Sequence, residues 1–422
     1  MLTLGLSTFL AISTVGLIFS HYINYGEALA FANDGGMVVY KKLEKVYVRQ
    51  VISHWILLGI FSFAIINQSK KLVFGRLNIK ILNSRQWKLI FAALILFAYF
   101  RYFILGPGLE TLINTDLIYF SAEDAVAART LVNDNFFGQG AYMASVAAYI
   151  ILPVLFSGFI VNVRKNNVWA SGVPYILVIS SFFLLSFSYA FQMRQKSPIV
   201  QVILIYLLLH FCRRIGGEER SIEKKKKYYG KAIAGGVFFF LLIVSLYVLV
   251  FNMNFMDSMI ATVVRIFMVP TATEANYFYI FPDIFAYRGI LESFVIRIFN
   301  PPGVSGVTIF DVAVAATGNE FSSNASFLAI GWSGFGYIGV VLVSVTLCVG
   351  LMLIDGVLSR RSVNIRNIVL ALSAPPLFVL NSGSLLDYIG AGGIISPLLL
   401  LLIINNSKIN SDNSKVKLIN KL

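Results

Sequence analysis

Apolar runs long enough to cross a lipid bilayer recur from one end of this 422-residue chain to the other. A helix needs roughly 20 consecutive apolar residues to traverse the hydrocarbon core. Lipid also forces a spanning segment to satisfy its own backbone polar groups, which a helix does internally. The expected fold class is therefore an all-α, polytopic integral membrane protein with about ten transmembrane helices. The spans expected are Leu2 to Ser20, Val51 to Ile66, Leu89 to Leu105, Ala141 to Val161, Val173 to Phe191, Pro198 to Phe211, Ala232 to Phe251, Phe327 to Leu353, Ile368 to Leu380 and Gly390 to Ile404. Only 13% of residues are charged, against about a quarter in a soluble domain. The first run lacks a basic flank and a small-residue cleavage site, so it is expected to be a retained span rather than a signal peptide.

The formal charge of +14 invites a nucleic-acid reading until the charges are placed. The segments from Asn67 to Lys88, Asn162 to Trp169, Cys212 to Lys231 and Ile354 to Asn367, with the tail from Asn405, hold 23 of the 34 Lys and Arg but five of the 20 acidic residues. By the positive-inside bias these are the inner segments, and both termini are expected inside. The run Glu223-Lys224-Lys225-Lys226-Lys227 then reads as retention signal and lipid-headgroup contact, not as a nucleic-acid site. Cys212 and Cys348 fall near the inner ends of different spans, and His21, His54 and His210 are scattered. Neither pattern suggests a disulfide framework or a metal site, and no cofactor is expected.

Three outer segments have useful length: His21 to Gln50, Gly106 to Gly140 and Asn252 to Ala325. The last, some seventy residues, exceeds a simple connection. Within it Met259 to Val269 and Gly289 to Phe299 have helical apolar spacing and are expected to lie at the membrane interface. Asn300-Pro301-Pro302-Gly303 ends the second of these stretches, since neither proline nor glycine continues a helix readily.

Outward-facing cations are the informative residues. Arg194 and Lys196 sit in Met193-Arg-Gln-Lys-Ser-Pro198, at the outer end of the sixth span, with Pro198 in its first turn. Cations at a helix N-terminus oppose the macrodipole unless an anion lies between them. A phosphate or pyrophosphate site is one reading, and snorkelling to headgroups is the other. Arg265 interrupts an apolar helix, where a lone guanidinium marks a candidate site unless Glu274 or Asp283 pairs with it. Arg129 is a substrate contact or a solvated loop charge. Arg288 and Arg297 share one helical stretch and contact either substrate or lipid. Glu274, Asp283, Glu320 and Asp124 are the carboxylates available as a general base, each of which also reads as a plain surface charge. No Asp-x-Asp pair suggests a divalent metal, so stabilisation of a leaving diphosphate falls to Arg and Lys. Asn276, Tyr277, Tyr279 and Tyr287, with Phe278 and Phe281, can stack on sugars or form an interfacial aromatic belt.

Four segments together resemble the Wzy-type O-antigen or oligosaccharide repeat unit polymerases. They are Arg129 with Phe136-Phe-Gly-Gln-Gly140-Ala-Tyr142 and the span containing Pro153; Met193 to Pro198; Arg265-Ile-Phe-Met-Val-Pro270 leading into Tyr277-Phe-Tyr-Ile-Phe281; and Asn324 to Gly331 with Gly334-Phe-Gly-Tyr-Ile-Gly339. The ordered motifs cover roughly Arg129 to Gly339. The resemblance implies a glycosyltransferase of the membrane-embedded C type acting at the outer face of a bacterial cytoplasmic (inner) membrane. Its donor and acceptor would both be undecaprenyl-pyrophosphate-linked glycans, with a chain-length regulator and a flippase as further partners. Outward arginines of the family map onto Arg129, Arg194 and Arg265, with Lys196 beside the second. Arg129 and Gly140 also have the family's spacing of arginine, ten residues, glycine. The catalytic set expected is Arg194, Arg265, Glu274 and Glu320. Arg129, Lys196, Asn276, Tyr277 and Arg288 are expected to bind substrate.

An O-antigen ligase shares this architecture. A flippase or other transporter belongs to a different class and favours charged residues on broken spans near the midplane, often with internal repeats. Neither feature is evident along the chain.

Overall fold

The protein is described by a computed structural model over residues 2–22, 44–68, 84–104, 146–165, 253–289, 309–318, 325–358, 363–383, 385–390 and 393–403, together with residue 307 and short pieces between 180 and 248. Every described element is helical. We number the helices α1 (Leu2–Tyr22), α2 (Glu44–Gln68), α3 (Ser84–Phe103), α4 (Ala147–Ile151 continuing as Leu152–Lys165), α5 (Phe255–Ile280), α6 (Ile309–Thr317), α7 (Phe327–Phe335), α8 (Tyr337–Leu358), α9 (Val363–Val379), α10 (Leu385–Gly390) and α11 (Ile395–Ile403).

Among the described residues three helices are long and apolar enough to cross a membrane: Lys45–Asn67 within α2, Phe255–Ile280 (α5) and Tyr337–Leu358 (α8). Their burial pattern is that of a chain solvated by lipid. On α2 the side chains turned inward include Gln50, Ser53 and His54, whereas Trp55, Phe63 and Ile66 are among the most exposed. A water-soluble helix would reverse that arrangement. Apolar exposure recurs at Leu96 on α3 and Ile338 on α8.

Two expectations change in detail. The segment 259–269 belongs to a longer helical run, Phe255–Ile280. It starts at the cap Asn254, whose Oδ1 accepts from the Asp257 amide at 2.8 Å. It passes Pro270 through a π-helical turn at Val264–Met268. A proline leaves one carbonyl of the preceding turn without its donor, and a widened turn is one way a helix absorbs that loss. The expected neighbour at 289–299 lies outside the described residues apart from Gly289.

The span expected from 327 to 353 is two helices. Ser326 caps α7, which ends at Gly336 with φ +60° and ψ −138°, a conformation that favours glycine. The chain then folds back, so α7 lies along the start of α8. Gly331 and Gly339 touch: a Cβ on Gly339 would stand 1.8 Å from the Gly331 carbonyl oxygen. Hydropathy alone runs the two helices together because both are apolar.

The buried centre forms around α5, which packs on α1, α2, α6 and α7, while α8 covers α2 and α7. A second group, α4, α9 and α11, joins through α9 to α1. The amide of Phe327 donates to the Leu380 carbonyl at 3.1 Å, tying the start of α7 to the end of α9.

Candidate functional site

Helical spacing places Lys45, Arg49 and Ser53 one turn apart on α2, with Gln50 and His54 on the adjoining row. Both rows face the second half of α5. Lys45 meets Asp283, Arg49 meets Phe278 and His54 meets Glu274, so the two helices run antiparallel along this contact. Gln50 Nε2 donates to the Thr271 carbonyl at 3.1 Å and fixes the register from inside.

Where this contact reaches the start of α2, the chain leaving α5 is held by a cation cluster. The Arg49 side chain is 12% exposed and donates from both Nη1 and Nη2 to the Asp283 carboxylate, at 3.1 and 3.2 Å. Nη1 also donates to the Phe278 carbonyl at 2.7 Å. Lys45 Nζ donates to both Asp283 oxygens, at 3.2 and 3.1 Å. These donors, the hydrogen bonds from Arg49 foremost, hold the Asp283 carboxyl below its ordinary range against the opposing effect of partial burial. The Arg49 guanidinium lies 5.3 Å from the Trp332 ring centre. Trp332 Nε1 donates to the Phe281 carbonyl at 2.8 Å. Arg288 stands over the rings of Phe281 at 5.0 Å and Tyr277 at 5.8 Å, and its amide donates to the Ser333 carbonyl at 2.8 Å. Tyr287 and Tyr337 pack edge-on against Trp332 from two sides. The Tyr287 hydroxyl is held above its ordinary range, chiefly by partial burial.

One turn deeper the chemistry changes. Glu274 is 2% exposed, and its Oε2 lies 3.9 Å from His54 Nε2. His54 Nδ1 is 2.8 Å from the Gln50 carbonyl. A carbonyl only accepts, so Nδ1 carries the hydrogen and Nε2 is the nitrogen turned toward Glu274. Among the described residues neither Nε2 nor Glu274 Oε1 has a hydrogen-bond partner. The Phe9 ring of α1 stacks on the imidazole at 5.6 Å, and Ser326, the cap of α7, stands beside the carboxyl. Four helices thus enclose one carboxyl and one imidazole. The neighbouring Asn276 is buried, and its Nδ2 has no hydrogen-bond partner among the described residues.

No protein-family model matches this chain, and comparison with the curated proteins and with the solved structures returns no match. The geometry of the site is therefore the guide to its chemistry.

Of the expected site residues, Arg288 and Tyr277 are brought together, with Glu274 and Asn276 on the same stretch of α5. Arg265 is exposed on the π-helical turn, nine residues before Glu274 and so roughly 13 Å along the axis. The carboxylates weighed as its partners have other neighbours: Glu274 faces His54 and Asp283 binds Lys45 and Arg49. Arg129, Arg194, Lys196 and Glu320 lie outside the described residues, and with them the expected convergence of Arg194, Lys196 and Arg265. Among the described residues no cluster of three or more His, Cys, Asp or Glu is disposed to hold a metal ion.

Sequence reasoning misses Lys45, Arg49, His54 and Trp332. It puts Arg49 in an outer loop ending at Gln50, yet α2 begins at Glu44. The signal is present in the chain: Val46, Gln50, Ser53, His54, Leu57 and Phe61 recur at helical spacing, and all are buried. Three of the six are polar, which hydropathy scores as a reason to end a span rather than as its inward face.

Proposed function

We propose that the chain is a membrane glycosyltransferase that polymerises undecaprenyl-pyrophosphate-linked repeat units at the outer face of a bacterial cytoplasmic membrane, as the Wzy-type polymerases it resembles do. The observation that carries the reading is a juxtaposition at the end of α5. A buried carboxyl, Glu274, lies one turn from an arginine-over-tyrosine stack, Arg288 on Tyr277, and from a second guanidinium, Arg49.

Glycosyl transfer from a lipid diphosphate needs these two kinds of group. The acceptor hydroxyl oxygen forms a bond to the anomeric carbon of the donor glycan. The bond from that carbon to the diphosphate oxygen breaks, and its electron pair leaves with the diphosphate. A positioned carboxylate takes the hydroxyl proton, a contribution of about 10²- to 10⁴-fold. Cations meet the charge growing on the leaving group. In this reading Glu274 is the base, Asn276 and Tyr277 contact sugar, and Arg288 joins Arg129, Arg194 and Lys196 around the diphosphate, with Arg265 further back along α5. The charge asymmetry of the chain supports an outward site, because the segments read as inner hold most of its Lys and Arg. In the full architecture proposed, about ten spans carry a fold of the C type with both termini inside.

One observation favours a second reading. His54 and Glu274 are ionisable groups buried within helices long enough to span, as in proton-coupled transporters. Deleting the gene separates the possibilities. The polymerase reading predicts loss of the long-chain ladder of surface polysaccharide, leaving single repeat units. A persisting ladder overturns it. Finished polymer stranded on undecaprenyl pyrophosphate indicates a ligase, and repeat units trapped on the inner leaflet indicate a flippase.

A further inference from the structure

We infer that His54 is the positioning residue and proton partner of Glu274, so that the two act as a relay dyad in the helical core. The inference rests on the reading of Glu274 as general base, and it extends that reading to a residue on another helix.

Three observations carry it. The first is tautomer geometry. Because Nδ1 is committed to the Gln50 carbonyl at 2.8 Å, the imidazole presents its Nε2 lone pair to the carboxyl 3.9 Å away. The second is isolation. His54 is the ionisable group that faces Glu274, at 3.9 Å, and the neutral Ser326 hydroxyl stands beside the carboxyl. The Phe9 ring of α1 stacks on the imidazole and packs edge-on against Phe327, the first residue of α7, while the Gln50 carbonyl accepts the Nδ1 hydrogen bond. Arg49, the nearest cation on α2, is committed to Asp283 and the Phe278 carbonyl. The third is incompleteness. An ion pair kept for stability alone has its remaining lone pairs satisfied by further hydrogen bonds. Among the described residues neither Glu274 Oε1 nor His54 Nε2 has a hydrogen-bond partner, and the two groups face one another across 3.9 Å. That arrangement leaves the Nε2 lone pair open to accept a proton from the carboxyl it faces.

The relay balances simply. As the glycosidic bond forms, the acceptor hydroxyl proton passes to the Glu274 carboxylate. The proton then moves from Glu274 Oε to His54 Nε2, giving an imidazolium whose Nδ1 hydrogen still bonds to Gln50. Loss of that proton to water restores the dyad for the next addition. No metal or redox partner enters the step.

The test uses the full-length protein in lipid nanodiscs and two independent readouts. The first is infrared: the protonated-carboxyl band of Glu274, identified by its disappearance in Glu274→Gln, is followed across pH. In His54→Gln the band should shift in frequency and lose its wild-type titration midpoint. An unchanged band and midpoint would overturn the dyad. Should His54→Gln fail to accumulate, Glu274→Gln is examined instead by NMR of 15N-labelled histidine, where the His54 titration must move. A titration identical to wild type again overturns the inference. The second readout is chain elongation on lipid-linked repeat units. We expect His54→Gln to lower kcat by about 100-fold, with KM changed less than about twofold, and to alter the pH profile. A fall confined to KM, or a profile unchanged in shape, overturns the relay. If wild-type protein elongates nothing while the infrared shift appears, the polymerase reading fails and the dyad stands.

Discussion

At the scale of single residues, the side chain with the most to lose is Arg49. Its fork holds Asp283 by two hydrogen bonds, reaches the Phe278 carbonyl and lies over Trp332. Lysine carries the same charge but cannot reproduce a planar, bidentate contact. Arg49→Ala should destabilise the packing of α2 on α5 by about 1.5–3 kcal/mol, the range for hydrogen bonds to charged groups. Arg49→Lys should recover less than half of that, read as detergent-solubilised melting temperature. The contact between Lys45 and Asp283 is exposed, and its loss should cost under about 1 kcal/mol. Asp283 also sets a pH dependence. Its folded-state carboxyl titrates below the unfolded value because Arg49 and Lys45 bind the charged form. Its stabilisation is therefore present above the unfolded pKa and is lost as pH falls through the folded one. Acidification below about pH 4 should release the turn after α5, seen as faster hydrogen exchange of the Arg288 amide now bonded to Ser333. Unchanged protection there would show that the ion pair does not hold the turn.

At the scale of elements, the close pair of α7 and α8 depends on two glycines. A side chain at Gly339 meets the Gly331 backbone at 1.8 Å, so Gly339→Ala must push the helices apart. We expect a loss of about 1–3 kcal/mol, the usual cost of overpacking, and displacement of Trp332 from the Phe281 carbonyl. Tryptophan fluorescence, which reports the setting of an indole, should change with it. This hairpin also shows what a hydropathy reading can resolve. The helical class is legible, and so is a membrane-long helix in α2, expected from Val51 to Ile66 and found over Lys45–Asn67, because apolar length alone specifies it. The break at Gly336 is not, since a turn between two apolar helices leaves no dip in hydropathy. Nor is the full length of α5, where Arg265, Glu274 and Asn276 lower the average of a helix whose second half is buried from Thr271 to Phe278. Polar residues end a span when lipid surrounds it. They do not when other helices do, and only packing tells the two cases apart.

At the scale of the whole molecule, a charge asymmetry along the chain meets a buried centre between its helices. In the proposed orientation the basic inner segments set the direction of the chain, and the end of α5 carries its cations and aromatic residues toward the outer leaflet. Glu274 and Tyr277 are legible as candidates because glycosyl transfer calls for a carboxylate base and an aromatic run can stack on sugars. Their neighbours Arg49 and His54 are not, because some 220 residues separate α2 from α5 and a pairing so distant in sequence leaves no local pattern. We propose that this core joins lipid-linked saccharides. The most direct test of that claim is purified protein in proteoliposomes supplied with undecaprenyl-pyrophosphate-linked repeat units. We predict a ladder of products two repeats and longer from wild type and none from Glu274→Gln. Repeat units carried across the bilayer but never joined, by wild type and variant alike, would contradict the claim.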